Sequence, residues 1–376
     1  MRTALIQSSF FKWAPAILLA FAAFESPVLG QGCVQSRGAS IGPLMQGEDV
    51  YLQAGQWQAN VGYRWLHSDR HFSGVNELTG KQVGGGDENT SRNHFGDQII
   101  NDSHFIDVSA TYAFTKRISA SLTLPFVTSD RSQPVKATTP ATANTPGNVV
   151  IYDRFSTHAG GLADMSVRAN AWIFDPHKCM DGNLQLGLGL KIPTGDSRAK
   201  DVFESRLNNG TIVANQNYVD QSIQPGDGGW GVILQAQGFQ KIVKNTYAYM
   251  DVSYLINPQE KDEATGYSTP DAYLLRAGLS YAIWPAAGLS LSLGGRMEGV
   301  PVTDWFGGSN GSRRPGYAIS IEPGITWVYR KFAFTVTAPV AIERNRERSV
   351  SDLASGRHGD AAFADYIITS SISYRF

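Results

Sequence analysis

The chain has 376 residues, of which 17% are charged, with 39 glycines and a formal net charge of −1. It lacks the basic excess that marks a nucleic-acid binder, and its two cysteines allow at most one internal disulfide. A mildly negative mean hydropathy does not exclude a membrane barrel, in which only alternate residues of each strand face lipid.

Residues 1–30 read as a secretory signal peptide. Arg2 and Lys12 give a basic start, Ala14 to Phe24 an apolar run, and Val28-Leu29-Gly30 small residues before a cut ahead of Gln31. The run is too short, and too interrupted by Pro15, to span a membrane as a helix, and no later run is long enough either. Removing the leader leaves 30 Lys+Arg against 32 Asp+Glu. Residues 31–56 carry little periodicity and read as a periplasmic N-terminal segment.

From Trp57 onward the chain alternates. Trp57, Ala59, Val61, Tyr63 and Trp65 share one face of a first strand, and Gln58, Asn60, Gly62 and Arg64 the other. The same rule recurs over 106–114, 118–126, 165–173, 184–192, 230–237, 248–254, 273–281, 289–296, 317–329, 332–340 and 365–376. With the first strand this makes twelve, an even number of the kind single-chain bacterial barrels use. Short links near Thr115–Arg117, Asp175–Gly182, Lys241–Lys244, Trp284–Ala287 and Arg330 alternate with long polar links of about 67–102, 129–160, 194–227, 257–271, 299–316 and 344–362. Strand alternation and loop alternation agree on one architecture: an all-β, 12-stranded antiparallel transmembrane barrel over 57–376, in a Gram-negative outer membrane. Soluble sandwiches and propellers also alternate, but here aromatics bracket aliphatic strand centres, as in Tyr317 with Tyr329 and Tyr366 with Phe376. The terminal strand, ending in Tyr374 and Phe376, resembles the C-terminal signal read by the barrel-assembly machinery.

Prolines 125, 193, 258, 301 and 339 fall near the loop-side ends of outward-running strands, where they are expected to end pairing and bend the rim. Frayed rims would also give lateral access to the lumen. Pro323 lies mid-strand and is expected to mark a bulge or kink. Around two of these prolines the wording is familiar. Leu190-Lys-Ile-Pro-Thr-Gly-Asp196 and Leu122-Thr-Leu-Pro-Phe126 resemble the outer-membrane transporter family named for the meta pathway of phenol degradation. The resemblance covers the layout of residues 50–376 and implies a barrel that helps small, often aromatic or hydrophobic, compounds across the outer membrane.

The alternation also names the lumen. Its basic members are Arg64, Arg168, Lys191, Arg276, Arg296 and Arg375, and its acidic ones Asp107, Asp164, Asp251, Glu298, Glu322 and Asp365. The two sets balance, so they are expected to pair across a barrel of intermediate width, either stabilising the wall or forming a polar constriction. The function expected is passive uptake of small molecules without a cofactor. Its rivals are a lipase-like barrel enzyme and a non-conducting surface-binding barrel. His67-Ser68 and His104 are the residues a lipase reading would need, but neighbours on a strand point to opposite faces. Asp87-Glu88-Asn89, Asp97 and Asp102 read as solvated loop rather than a calcium site. Arg344, Arg346 and Arg348 are placed to meet lipopolysaccharide phosphates. Cys33 and Cys179 both fall on the periplasmic side and are expected to form a disulfide, contributing about 4–5 kcal/mol at best.

Overall fold

A computed structural model describes residues 50–78, 99–139, 148–206 and 211–376. The first strands are β1 (Trp57–Ser73), β2 (Asn76–Leu78), β3 (Ile100–Ala113), β4 (Ile118–Thr139), β5 (Asn148–Leu162) and β6 (Met165–Trp172). They are followed by β7 (Gly182–Ile192), β8 (Lys200–Arg206), β9 (Ile212–Tyr218), β10 (Gly231–Val243), β11 (Thr246–Ile256) and β12 (Ala272–Trp284). The last are β13 (Leu289–Val300), β14 (Gly316–Tyr329), β15 (Phe332–Thr337), β16 (Val340–Arg346) and β17 (Ala361–Arg375), with a short helix α1 (Val350–Ser355) before β17. Fifteen of these strands form one antiparallel sheet, and β8 with β9 forms a separate hairpin. Within the sheet β2 is a flap on the end of β1, while β5 with β6 and β15 with β16 are each one interrupted stave. Twelve staves therefore remain. β17 pairs with β1 from Gln58↔Arg375 to Phe72↔Ala361 and closes the barrel, so the first and last strands leave no open edge.

The alternation sorts as expected, inside out relative to a soluble protein. Leu188, Leu279 and Leu293 on the outer face are 61%, 53% and 60% exposed, while Arg168, Arg276 and Glu322 on the inner face are buried. At the short-turn end the outer aromatics run as a continuous belt. Trp327 stacks on Phe334 at 5.5 Å, Phe332 meets Tyr374 at 4.7 Å, and Tyr374 stacks on Phe376 at 5.9 Å. Two-residue turns at this end place Asn245 and Arg330 at φ 64° and 55°, the left-handed backbone that tight hairpins need.

At the other end the strands run further than their apolar faces. β4 and β5 continue as a paired hairpin through much of the stretch expected to be loop, and β1 reaches Ser73. Past the membrane's thickness a hairpin needs no apolar face, only its ladder, so the hydropathy pattern stops before the strand does.

The prolines act differently from expectation in two places. Pro125 lies mid-stave, because β4 continues to Thr139. Below it β4 pairs with β6, and above it with β5. Pro323 leaves β14 in unbroken register with β13, and the interruption falls instead on its neighbour, between β15 and β16. In both cases the proline carbonyl accepts from the interrupted stave: Ala163 N to Pro125 O at 2.8 Å, and Ala338 N to Pro323 O at 3.0 Å. Within a strand a residue's N and C=O point to the same side, so the donor that proline lacks is missing on that side. The partner's ladder breaks there, at Ala163–Asp164 and at Ala338–Pro339. Beyond the breaks β5 pairs only with β4, and β16 meets β17 only at Val340↔Tyr366. The wall thus carries two seams, between β5 and β7 and between β16 and β17.

Candidate functional site: the lumen and its charged layers

The lumen is built in layers from the short-turn end upward. At the floor Val50 and Tyr51 precede β1 and pack with Trp172 and Phe239 as a small apolar cluster. The Tyr51 hydroxyl donates to the Cys179 carbonyl and accepts from Asn183 Nδ2 at 3.0 Å. Burial pushes this hydroxyl up to about 12, with the Asn183 hydrogen bond working the other way. Above the floor lies a cavity of about 160 Å³. It is lined mainly by inward Ser, Thr, Asn and Gln side chains, including Thr111, Ser121, Asn170 and Gln237.

Its inner end is Arg168. That arginine's stem lies against Gly189 on the neighbouring strand, where a Cβ would overlap it. Its guanidinium donates to Gln235 Oε1, and Gln235 Nε2 in turn donates to Asp251 Oδ1 at 3.0 Å. The next layer is a belt of carboxylates and guanidiniums. Arg276 and Arg296 stand directly opposite each other on β12 and β13, a like-charge pairing that costs stability unless offset. Three acids offset it. Glu322 takes Arg276 in a bidentate pair at 2.7 and 2.9 Å, Glu298 takes Arg296 at 2.8 and 3.2 Å, and Asp251 lies opposite Arg276 on β11. Across the lumen Arg64 stacks over Phe105 at 4.4 Å, with Asp107 two residues along β3, opposite Gly62.

Lys191 and Asp164 sit at the β5–β7 seam rather than in the belt. Asp164 accepts from Gly195 N at 3.0 Å and Asp227 N at 3.2 Å, and Lys191 pairs with Asp227. Arg375 lines the floor cavity and donates to Gln58 Oε1 at 2.9 Å. Asp365 lies at the second seam. The β1–β17 register shifts twice beside it, and its side chain, 43% exposed, bridges Arg70 and Arg344 at the second seam. These charges therefore form three groups, at the floor, in the belt and at the seams, instead of one ring.

The long-loop end is covered by packed loops. Ser222 to Gly226 are buried, and Asp220 is held by Arg314 at 2.6 and 2.7 Å and by Arg131 at 3.3 Å. Burial alone would raise the Asp220 carboxyl, but Arg314 and Arg131 hold it well below the usual range. Sequence reasoning missed this clamp, since Arg131 comes from β4 and Asp220 and Arg314 from two distant loops, and the three share no pattern. It also passed over Gln235 and Asn170, whose inward parity was readable but whose lack of charge drew no attention.

The remaining candidates fall apart spatially. Ser68 is fully buried on the inner side with Asn101 Nδ2 at 3.3 Å, whereas His67 is on the outer side, 3.0 Å from Asp102. His104 also pairs with Asp102, at 3.1 Å. The serine and the histidines of a lipase reading are therefore on opposite faces of the wall. Arg344 and Arg346 are buried and paired with Asp365 and Asp352, which withdraws them from lipopolysaccharide; Arg348 donates to the Arg357 carbonyl at 2.8 Å. Cys179 is partly buried in the β6–β7 connection, and its expected partner Cys33 lies outside the described residues, as do Asp87, Glu88 and Asp97. Among the described residues no group of three His, Cys, Asp or Glu is arranged to hold a metal ion.

A family model described as "putative MetA-pathway of phenol degradation" matches residues 79–351. No curated protein sequence matches the chain. Among solved structures, an outer membrane channel from Pseudomonas putida F1 is 12% identical with a TM-score of 0.50, covering 86% of this chain and 97% of that one. The P. putida toluene transporter TodX is 9% identical with a TM-score of 0.45, covering 92% and 95%. A Pseudomonas aeruginosa FadL homologue is 8% identical with a TM-score of 0.41, covering 85% and 90%. The first of these likenesses shows the fold, that of an outer-membrane barrel.

Proposed function

This chain belongs to the family described as putative MetA-pathway of phenol degradation, and we propose that it is a passive outer-membrane channel for small, mainly hydrophobic or aromatic, molecules. The observation that carries the reading is the closed wall around a polar cavity. A barrel whose outer face is apolar and whose inner face, above a small apolar floor, is largely hydroxyl, amide and paired charge is a conduit in form. Balanced pairs in the belt leave no single-sign barrier to a neutral solute. The two seams give such a solute a second way between lumen and lipid, beside the axial one. Export by a cleaved leader at residues 1–30 and location in a Gram-negative outer membrane complete the reading, as do lipid and lipopolysaccharide contacts. The separation of Ser68 from His67 supports transport over lipase chemistry, because a nucleophile needs its base within hydrogen-bond reach.

Liposomes carrying the purified barrel are expected to swell in small aromatic solutes and to do so more slowly in disaccharides. Equal rates with and without protein would leave a surface-binding barrel as the better account. Lysophospholipid release abolished by Ser68→Ala would instead establish the enzyme reading.

A further inference from the structure

We infer that the cavity at the short-turn end is a binding site for a single-ring molecule carrying a carboxylate, seated with that carboxylate at Arg168. The inference rests on the reading of the lumen as a path for small molecules and narrows its substrate class. Taken over the whole lumen the charges balance, but taken by depth they do not. The acids belong to the belt and the seams. The charged side chains lining the floor cavity are Lys116, Arg117, Arg168 and Arg375, all cationic.

Arg168 is the one among them placed to recognise a ligand. It is buried to within 8% of full cover and lies four residues up β6 from Trp172, a rise of about 13 Å along the strand. Its stem is pinned against Gly189, and one of its five N–H donors is used on Gln235. No carboxylate among the described residues is in ion-pair contact with it. Asp251 is joined to it by hydrogen bonds only through Gln235, with its charge acting from beyond contact distance, and Asp251 itself faces Arg276, which Glu322 holds. A planar guanidinium fixed in this way is suited to a bidentate carboxylate.

The rest of the cavity fits the other half of such a ligand. Toward the floor the lining turns apolar, with Trp172, Val50, Leu52 and Ala333. The volume, about 160 Å³, is close to the ~150 Å³ that accommodates a benzene ring. Serine and threonine hydroxyls between the two zones can accept or donate as the ligand requires.

Benzoate and benzyl alcohol, which share a ring and differ in charge, test the site by calorimetry on the purified full-length barrel. Benzoate is expected to bind at least tenfold more tightly than benzyl alcohol, and Arg168→Gln to erase that preference. No preference in the wild type overturns the site, and so does a preference that survives Arg168→Gln in a protein still showing the heat-modifiable migration of a folded barrel. If Arg168→Gln does not fold, Arg168→Lys decides. Keeping the charge but losing the fork should weaken the preference severalfold, and an unchanged preference overturns the assignment. Swelling is scored separately. Swelling without a benzoate preference refutes the site and keeps the channel, whereas a preference without swelling keeps the site and refutes the channel.

Discussion

Glycine facing glycine lets Tyr249 lie flat against the inner wall. Gly278 and Gly294 are paired across β12 and β13, and a Cβ on Gly278 would stand 2.7 Å from the Tyr249 hydroxyl, with one on Gly294 nearer still. Gly294→Ala is therefore expected to destabilise the barrel by about 1–3 kcal/mol through overpacking. Gly295→Ala next to it, on the open outer face with nothing within 4 Å, should be neutral. Urea unfolding of the refolded barrel measures both, and equal midpoints would refute the packing account. The belt is a harsher case. Glu322 is 1% exposed and lies against Arg276, with Arg296 close by. Glu322→Gln should cost about 3–5 kcal/mol, because it leaves the buried Arg276 guanidinium without the carboxylate that pairs with it. Adding Arg276→Met should recover part of that loss, and the same unfolding curves, run as a double-mutant cycle, give the coupling. Additive losses would mean the two side chains do not act as a pair.

At the scale of elements, the short floor segment before β1 is held by one tyrosine. Tyr51→Ala removes the hydrogen bonds to Cys179 and Asn183 together with the edge-on contact to Trp172 at 5.0 Å. Single-channel conductance is expected to rise, since the cavity loses part of its floor; an unchanged value would show that the floor does not limit flow. The hydroxyl's raised value sets a pH sign. The contribution is complete below the ordinary tyrosine value of about 10 and is lost as pH climbs through about 12, so the floor should stay closed well into the alkaline range. The elements differ in how far they could be read in advance. Lipid imposes one rule on every stave, and residues such as Leu188, Arg168 and Arg276 obey it, so the wall and its two faces were legible. Pro125 and Pro323 were visible as residues, but their effect falls on a neighbour that only the sheet's pairing identifies. Asp365 meets Arg70 and Arg344 at the seam, beside register shifts against β1 that parity counting cannot see. Arg344 and Arg346 were placed in a loop, whereas β16 continues through them and turns them inward.

For the whole molecule, the two ends of the barrel answer differently to acid, and the long-loop end should yield first. Its loops are tied by carboxylates that partners hold below their ordinary values. In each case burial pulls upward and is outweighed, for Asp220 by Arg314 and Arg131, for Asp262 by Arg198 and backbone donors, for Asp352 by Ser349 and Arg346, and for Asp360 by His71. Such groups contribute stability that is complete above the unfolded carboxylate value, near 4, and that is lost as pH falls through the lower folded values. Asp271 and Glu347, both raised by burial, act in the opposite sense and offset part of this. The decisive member is Asp220, because its two arginines come from β4 and from the β13–β14 loop and fasten the buried 222–226 segment across the opening. Lowering pH from 6 to 2 or below, through the depressed value of Asp220, is expected to raise single-channel conductance as that clamp is protonated. Asp220→Asn should show the higher conductance already at pH 6 and little further change on acidification, because the two guanidiniums lose the counter-charge that anchors the loop. Other carboxylates titrate over the same interval, and the variant separates them from the clamp. A wild type with one conductance at both pH values, or a variant that keeps the wild-type acid response, would mean that the loops over this end are held by packing alone.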